Sequence, residues 1–326
     1  MSEFRVAEGT AVVLVDDRLG EVLPAAALPL VRGAAAVYAS PGLAPAARQA
    51  LGVPEQPVDV VDKAAVEPVV LVAGSLDAEA EALRSAGAQV VGAPAPTGVE
   101  LLDAVTVMDR LRSPGGCPWD AEQDHDSLRQ YLVEEAYELL DAIAQRDRTA
   151  LREELGDVLL QVLFHARVAA EDPGDPFGID EVAAELVSKL VSRHPHVFAD
   201  SETVLDSETQ HVRWEELKQR EKQRESAVDG VALGQPAVAL AAKLTQRAAR
   251  AGVPVDAMPS GAATGAALFA LAARAKLDGV DPEDELRSTA LDFAERMRAA
   301  ERRARETGRD PAELTAEDWR ELLADA

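Results

Sequence analysis

The most informative segment for the fold is Arg152-Glu153-Glu154-Leu155-Gly156-Asp157-Val158-Leu159-Leu160-Gln161-Val162-Leu163-Phe164. After Asp157 the side chains are apolar on nearly every side, a pattern typical of a helix that is surrounded by protein. In helical projection, Glu154 and Asp157 lie at the margin of the apolar stripe formed by Leu151, Leu155, Val158 and Val162. Carboxylates at such a margin cost free energy unless they are paired, protonated or bound to a metal ion. The stretch therefore predicts a buried helix with a functional acidic pair.

A second acidic pair precedes this helix, in Leu132-Val133-Glu134-Glu135-Ala136-Tyr137-Glu138. Glu135 and Glu138 are three residues apart, so both carboxylates leave the same face of a helix. Glu154 and Asp157 repeat the spacing, and Gly156 between them, which costs about 1 kcal/mol of helix propensity relative to Ala, indicates close approach of another helix or a ligand. Four carboxylates from two adjacent helices suit a hard divalent cation, Mg²⁺ or Mn²⁺.

Other interpretations of the acidic residues fit the sequence less well or apply to fewer of them. Zinc is disfavoured because the sequence has no Cys/His cluster, and the Glu-x-x-His pattern of a di-iron bundle at Glu122 and His125 falls in a predicted loop. The acids also fit a solvated helix face. For Glu153, near a predicted helix start, the favourable interaction of an acid with the helix dipole is explanation enough.

The chain around these helices divides into two kinds of sequence. Short β-branched runs at 11–15, 58–61, 69–72 and 89–91 alternate with helical stretches at 45–51 and 77–86, which predicts a mostly parallel sheet covered on both faces. A Pro/Gly-rich linker over 92–98 follows. Helices are then predicted at 100–111, from Asp126 or Ser127 to 145, and at 149–170, 180–194, 209–224, 236–251, 263–276, 282–307 and 316–324.

These patterns predict a mainly α protein with a small N-terminal α/β domain. The proposed domains are 1–97, of unknown role, a helical module over 98–228 that carries the acids, and a second helical module over 229–326. Aromatic residues make up only 4% of the chain, and the abundance of Ala, Val and Leu favours tightly packed helices over a β-sandwich.

Charge and composition limit the partners. The sequence contains 33 Lys and Arg residues and 58 Asp and Glu residues, which gives a formal net charge of -25. Such a surface repels nucleic acids and anionic membranes, so neither is expected as a partner, and an anionic substrate is expected to arrive with a metal cation. One cysteine and no apolar run of about 18–20 residues favour a cytoplasmic protein without disulfides.

The order of the motifs resembles the MazG family of all-α nucleoside triphosphate pyrophosphohydrolases. Glu-x-x-Glu is followed after fifteen residues by Glu-x-x-Asp. The resemblance covers about residues 100–250, and the other matching segments are Cys117-Pro118-Trp119-Asp120, His165-Ala166-Arg167, Lys189, Arg193-His194-Pro195-His196-Val197-Phe198 and Trp214-Glu215-Glu216-Leu217-Lys218. It implies Mg²⁺-dependent hydrolysis of ribo- or deoxyribonucleoside triphosphates to monophosphate and pyrophosphate, a role in nucleotide-pool sanitation, and a helical bundle completed by a second subunit in a homodimer.

The roles of individual residues follow from that substrate. The metal ligands would be Glu135, Glu138, Glu154 and Asp157, and Glu134 either orients the attacking water, acts as its base or supports a ligand. The candidate phosphate contacts are Lys189, Arg193, Lys218 and Lys222, the candidate base contacts are Trp119 and Trp214, and His194 is a candidate substrate contact without an assigned group. Simpler roles remain open: Lys218 and Lys222 on a solvated face, both tryptophans in the core, and His194 at a helix stop.

The sequence of the second helical module indicates a decayed copy of the first. Gly265–Leu271 aligns with Gly156–Val162, which puts Ala266 in place of Asp157, and Trp319–Leu323 aligns with Trp214–Lys218. A copy without these acids would pack but bind no metal.

Two functional hypotheses therefore stand, an enzyme of the MazG type and a non-catalytic acidic scaffold or regulatory nucleotide-binding protein. Dependence on Mg²⁺ distinguishes them, because a scaffold should tolerate replacement of its acids by amides.

Overall fold

A computed structural model of the chain describes residues 5–20, 22–199 and 225–324. The chain forms two compact units, Met1–Lys189 and Leu190–Ala326, which are described separately below. The predicted helix at 209–224 lies outside the described residues. None of the helices in the described ranges is long and apolar enough to cross a membrane.

The first unit begins with a four-stranded parallel sheet in the order β2-β3-β1-β4. Its strands and helices are β1 Ala11–Leu14, α1 Leu28–Gly33, β2 Ala36–Ala39, α2 Pro45–Leu51, α3 Val60–Val66, β3 Val69–Ala73, α4 Ala78–Ser85 and β4 Gln89–Gly92. Neighbouring residues on one strand enter different cores: Val13 packs with Ala47 of α2, whereas Val12 packs with Val60 of α3 and Leu83 of α4. Helices therefore cover both faces, as predicted for a parallel sheet.

In this region one prediction was wrong and one strand was missed. The strand predicted at 58–61 is replaced by α3, because Val60 and Ala64, one helical turn apart, both bury against the sheet while Val58 is fully exposed. The edge strand β2 was not predicted, since its sequence Ala-Val-Tyr-Ala follows an Ala-rich helical stretch and offers few β-branched residues.

The rest of the first unit is helical. Its helices are α5 Glu100–Arg112, α6 Pro118–Glu122, α7 His125–Gln145, α8 Arg148–Ala169 and α9 Ile179–Arg193, the last of which continues into the second unit. α7 ends at Arg146, which adopts a left-handed conformation with φ of 56°. Asp147 then caps α8 by accepting hydrogen bonds from the N–H groups of Thr149 and Ala150. This two-residue turn makes α7 and α8 an antiparallel helical hairpin.

The start of α7 differs from the prediction. The cap is Asp124 rather than Asp126 or Ser127: its carboxylate accepts from the Ser127 N–H at 2.7 Å, while the Ser127 hydroxyl accepts from the Asp124 N–H at 3.0 Å. This reciprocal capping box places His125 inside the helix. Part of the predicted loop before it forms the short helix α6, which starts at Pro118, a residue suited to a first helical position.

Within the described residues of the second unit, the regular elements are all helices, joined by turns and loops. It contains α10 Pro195–Phe198, α11 Ala237–Arg250, α12 Thr264–Leu277, α13 Pro282–Glu306 and α14 Ala316–Ala324. Ala300 and Ala304 of α13 are fully buried beneath Leu322 and Trp319 of α14. The predicted fold class, mainly α with a small N-terminal α/β domain, is confirmed. The domain boundaries at 97/98 and 228/229, and the decayed-copy interpretation, remain predictions.

Candidate metal centre

The acidic pair of α8 lies on the side of this helix that is covered by protein. Glu154 and Asp157 are half-buried, and Gln161 and Phe164, further along that face, are buried. Leu155 is instead 52% exposed. The predicted orientation was therefore wrong in detail: the acids belong to the covered face, and part of the apolar stripe faces outwards. Gly156 also lies open, because a Cβ there would meet no atom of the described residues within 4 Å.

Three of the predicted ligands are brought together across the α7–α8 hairpin. One carboxylate oxygen each of Glu135, Glu154 and Asp157 lies within 4.8 Å of the other two. Within the described ranges, no other such group of metal-binding side chains occurs. Mg²⁺ binds oxygens at about 2.1 Å, so the ligand oxygens of one octahedral shell are about 3.0 Å apart when adjacent and about 4.2 Å apart when opposite. Side-chain movements that draw the three oxygens, now within 4.8 Å of one another, to these spacings would let them bind one ion.

The electrostatics of this cluster favour a cation. Burial, then the charges of Asp157, Glu138 and Glu134, raise the pKa of Glu135 above its ordinary value of 4.5. The pKa of Glu154 is raised by burial and then by Glu138, Asp157 and Glu153. In addition, Oε2 of Glu154 is buried without a hydrogen-bond partner. A buried carboxylate oxygen that faces other carboxylates is a suitable metal ligand, so these residues fit a divalent cation.

Glu138 and Glu134 lie at the edge of the cluster. Both are exposed, but their carboxylates lie near enough to Glu135 for their charges to contribute to its raised pKa. Glu138 is therefore close enough to join a metal site, although it is not among the three converging carboxylates.

An aromatic cluster lies further along the same hairpin. The Trp119 ring meets Tyr131 edge-on at a centroid distance of 5.9 Å and Phe164 at 6.4 Å. Tyr131 is one turn from Glu135 on α7, and Phe164 is about two turns from Asp157 on α8, separations of about 6 and 10 Å along the helices. Trp119 is nevertheless 49% exposed, so it is not a simple core residue. Its free surface is available to a planar ligand group.

Two features of this end of the hairpin were missed from the sequence. Nδ1 of His125 lies 2.8 Å from Nδ1 of His165, with ring planes only 14° apart, so one imidazole donates to the other. Burial, with a smaller effect of His125, lowers the pKa of His165. The second feature is Gln161, whose buried Oε1 has no hydrogen-bond partner. The pairing of His125 was hidden by its assignment to a loop.

The remaining predicted contacts lie elsewhere in the chain. Lys189 is exposed on α9, at the end of the first unit. Arg193 and His194 belong to the second unit: Arg193 is buried, and Nδ1 of His194 lies 2.6 Å from the carbonyl oxygen of Leu190. Trp214, Lys218 and Lys222 lie outside the described residues. Contacts of these six residues with a substrate remain predictions.

The raised pKa values of Glu135 and Glu154 predict a pH-dependent stability difference. In the metal-free protein, ionisation of these carboxylates is less favourable in the folded than in the unfolded state, so their charges lower the free energy of unfolding. This loss of stability is complete above the raised pKa values and disappears as the pH falls through them towards 4.5. We expect Glu154→Gln to melt above the metal-free wild type at pH 7–8, with a difference that shrinks on acidification. Thermal unfolding in chelator checks this, with Glu185→Gln as control, because Glu185 is exposed on α9 and its charge is not among those that raise the pKa of Glu135 or Glu154. A pH-independent difference would contradict it.

The fold and the site together define a mainly helical protein with an acidic hairpin suited to a divalent cation and hence to a polyanionic substrate. Comparisons with known proteins make the class specific. Residues 123–198, which include all three converging carboxylates, match the MazG nucleotide pyrophosphohydrolase domain, and residues 10–91 match the MazG N-terminal domain.

Similar proteins agree with this assignment. The chain is 43% identical to a nucleoside triphosphate pyrophosphohydrolase of Mycobacterium tuberculosis, over 89% of this chain and 84% of that protein. It is 42% identical to a protein of that name in Mycolicibacterium smegmatis, over 89% and 85%. An uncharacterised Streptomyces cacaoi protein is 53% identical over 63% of this chain and 84% of its own length. The chain therefore belongs to the MazG family of metal-dependent nucleotide pyrophosphohydrolases, which are hydrolases acting on acid anhydrides.

Proposed function

We propose that this chain hydrolyses ribo- and deoxyribonucleoside triphosphates at the α-phosphorus, releasing a nucleoside monophosphate and pyrophosphate. The observation that carries the proposal is the convergence of one carboxylate oxygen each of Glu135, Glu154 and Asp157, together with the buried, unpartnered Oε2 of Glu154. Mg²⁺ is the proposed cofactor, with Mn²⁺ as a substitute, and the proposed ligands are these three residues and Glu138. The proposed physiological role is sanitation of the nucleotide pool in the cytoplasm.

The charge of the protein explains why a cation is needed. A nucleoside triphosphate has about four negative charges, and it would meet a cluster of carboxylates on a chain of net charge -25. When bound, Mg²⁺ supplies charge neutralisation at the phosphates and a water of lowered pKa. The carboxylates of the hairpin hold the cation position, because α7 and α8 fix them on facing helices.

Glu134 is proposed to act on the attacking water. It is exposed on α7, next to Glu135, and its charge is close enough to raise the pKa of that neighbour. A carboxylate in this position can accept a proton from water or orient it towards the α-phosphorus.

The nucleoside half of the substrate would lie towards Trp119. Its half-exposed ring rests on Tyr131 and Phe164, so it presents a supported aromatic surface on which any nucleobase can stack. Lys189, Arg193, Lys218 and Lys222 are proposed phosphate contacts, Trp214 is a further proposed base contact, and His194 is a further proposed substrate contact.

Product analysis tests this function. Incubation of the common and oxidised nucleoside triphosphates with the protein and Mg²⁺ should give equal amounts of monophosphate and pyrophosphate, and no reaction in excess chelator. In ¹⁸O-labelled water, attack at the α-phosphorus puts the label in the monophosphate. Orthophosphate as the first product, label in the pyrophosphate, or full activity in chelator would overturn the proposal. Absence of turnover together with Mg²⁺-independent nucleotide binding would favour a regulatory nucleotide-binding protein.

A further inference from the structure

Arg112, the last residue of α5, is a buried cation that holds several elements together. Its side chain is only 3% exposed, and it makes a two-pronged ion pair with Glu171, with Nε to Oε1 at 3.1 Å and Nη2 to Oε2 at 2.8 Å. A buried guanidinium is stable only when its donors are satisfied, and this geometry is the strongest that a carboxylate offers.

The remaining nitrogen of this guanidinium holds the segment that carries Trp119. Nη1 of Arg112 donates to the main-chain carbonyl of Asp120 and, at 3.1 Å, to that of Gln123. The Asp120 carbonyl also accepts from the Gln123 N–H at 3.3 Å, so Arg112 adds a second, charged donor where α6 ends. The Gln123 side chain in turn donates to the carbonyl oxygen of Trp119 at 3.0 Å.

Arg112 also contacts the ring that supports the indole. Its Cζ lies 5.4 Å from the centroid of the Phe164 ring, and Phe164 meets Trp119 edge-on. The main chain and the ring support of Trp119 therefore depend on the same guanidinium.

Glu171, the anchor of this arrangement, is itself held in place by a second arginine. Arg167 donates to Oε1 of Glu171 and to Oδ1 of Asp109, both at 2.8 Å. Hydrogen bonds from Arg112, with a smaller contribution from Arg167, hold the pKa of Glu171 below its ordinary value, so this carboxylate stays ionised at neutral pH. Arg112 is thus held between the short helix α6 and a fixed anion two residues beyond the end of α8.

We propose that Arg112 is a positioning residue that fixes the exposed face of Trp119 where it stacks on the base of a nucleoside triphosphate, and so sets affinity for the nucleoside half of the substrate without contacting the phosphates. The inference rests on the proposed function, because it assigns the base to Trp119. Lysine cannot replace Arg112 in this role, since one ammonium group cannot bind a carboxylate with two prongs and reach two carbonyls on the other side.

Steady-state kinetics of Arg112→Lys test the inference. Stacking of one base on an aromatic side chain is worth about 1–3 kcal/mol, so we expect KM for nucleoside triphosphates to rise roughly tenfold with kcat within about twofold. The inhibition constant of inorganic tripolyphosphate, which has no base, should stay unchanged. The matched control is Arg110→Lys on the same helix, since the exposed Arg110 side chain donates, within the described residues, to the carbonyls of Pro114 and Gly115 alone and should leave KM unchanged.

A double-mutant comparison separates positioning from general support of the fold. In a Trp119→Ala background, Arg112→Lys should add no further increase in KM, because the ring that it positions is gone. The ¹⁹F resonance of 5-fluorotryptophan at position 119, assigned with Trp119→Phe, should shift in Arg112→Lys and remain in place in Arg110→Lys. If Arg112→Lys does not fold, Glu171→Gln, which removes the charge of the anchor and keeps its shape, takes its place in the same measurements.

The outcomes distinguish this inference from the proposed function. An active wild type whose KM is unmoved by Arg112→Lys, or equal weakening of triphosphate and tripolyphosphate binding, overturns the positioning role alone. An additional rise in KM when Arg112→Lys is made in Trp119→Ala also overturns it. A wild type that hydrolyses no triphosphate overturns the proposed function and, with it, the assignment of a base to Trp119.

Discussion

Asp157→Asn is expected to lower kcat for nucleoside triphosphate hydrolysis by about a hundredfold or more while the protein stays folded. Asp157 is one of three carboxylates that converge across the hairpin, and an amide oxygen is a much weaker ligand for Mg²⁺. Loss of one anionic ligand should cost several kcal/mol of transition-state stabilisation, which corresponds to about two or more powers of ten in rate. The metal-free variant should be at least as stable as the wild type, because one repulsive charge is removed.

The measurement is steady-state release of pyrophosphate at saturating Mg²⁺, paired with Mn²⁺ binding followed by electron paramagnetic resonance. Glu138→Gln should show the same loss if Glu138 joins the site from its edge. Glu153→Gln is the matched control: Glu153 is exposed in the first turns of the same helix, and its removal should change kcat by less than about twofold. Near-normal kcat and Mn²⁺ binding in Asp157→Asn would show that the metal centre lies elsewhere.

Those features of the hairpin that depend on local spacing could be predicted from the sequence. The three-residue intervals in the two acidic pairs gave the side of each helix that bears the carboxylates, and the apolar run after Asp157 gave the length of α8. Spacing along one helix does not show which side is covered, because that is decided by the neighbour. Leu155 was therefore assigned to the buried stripe, although α7 covers the side that bears the acids.

Features that depend on tertiary contacts could not be predicted from the sequence, for the same reason. The pairing of His125 with His165 requires the capping box at Asp124, and local propensity does not distinguish that residue from Asp126 as a cap. Strand β2 exists because β3 supplies its hydrogen-bond partners, not because Ala36 and Ala39 favour a strand. Arg112 was not singled out, since nothing in its sequence context shows that Glu171, 59 residues away, is its ion partner.

The exposed side of the hairpin carries the second prediction, a homodimer. Both helices present large apolar side chains that the described residues cover only in part, with exposed fractions of 39% to 54%: Leu132, Val133, Leu140 and Ile143 on α7, and Leu155, Leu160 and Val162 on α8. So many partly exposed apolar side chains on one hairpin are unfavourable in water and typical of a subunit interface. A Cβ at Gly156 would meet no atom of the described residues within 4 Å, so another helix could approach closely there. The sequence analysis predicted such a close approach from this glycine.

We therefore expect sedimentation equilibrium at micromolar concentration to give twice the chain mass of 34.6 kDa. Leu140→Glu should shift the protein to the monomer mass, because a carboxylate buried at an apolar interface costs several kcal/mol. The matched control is Leu28→Glu on α1 in the α/β part of the chain: Leu28 is 45% exposed and Leu140 46%, so the same charge is added at equal exposure outside the hairpin. A wild type at 34.6 kDa would contradict the dimer and favour the rival explanation, that the C-terminal helices take the place of a second subunit.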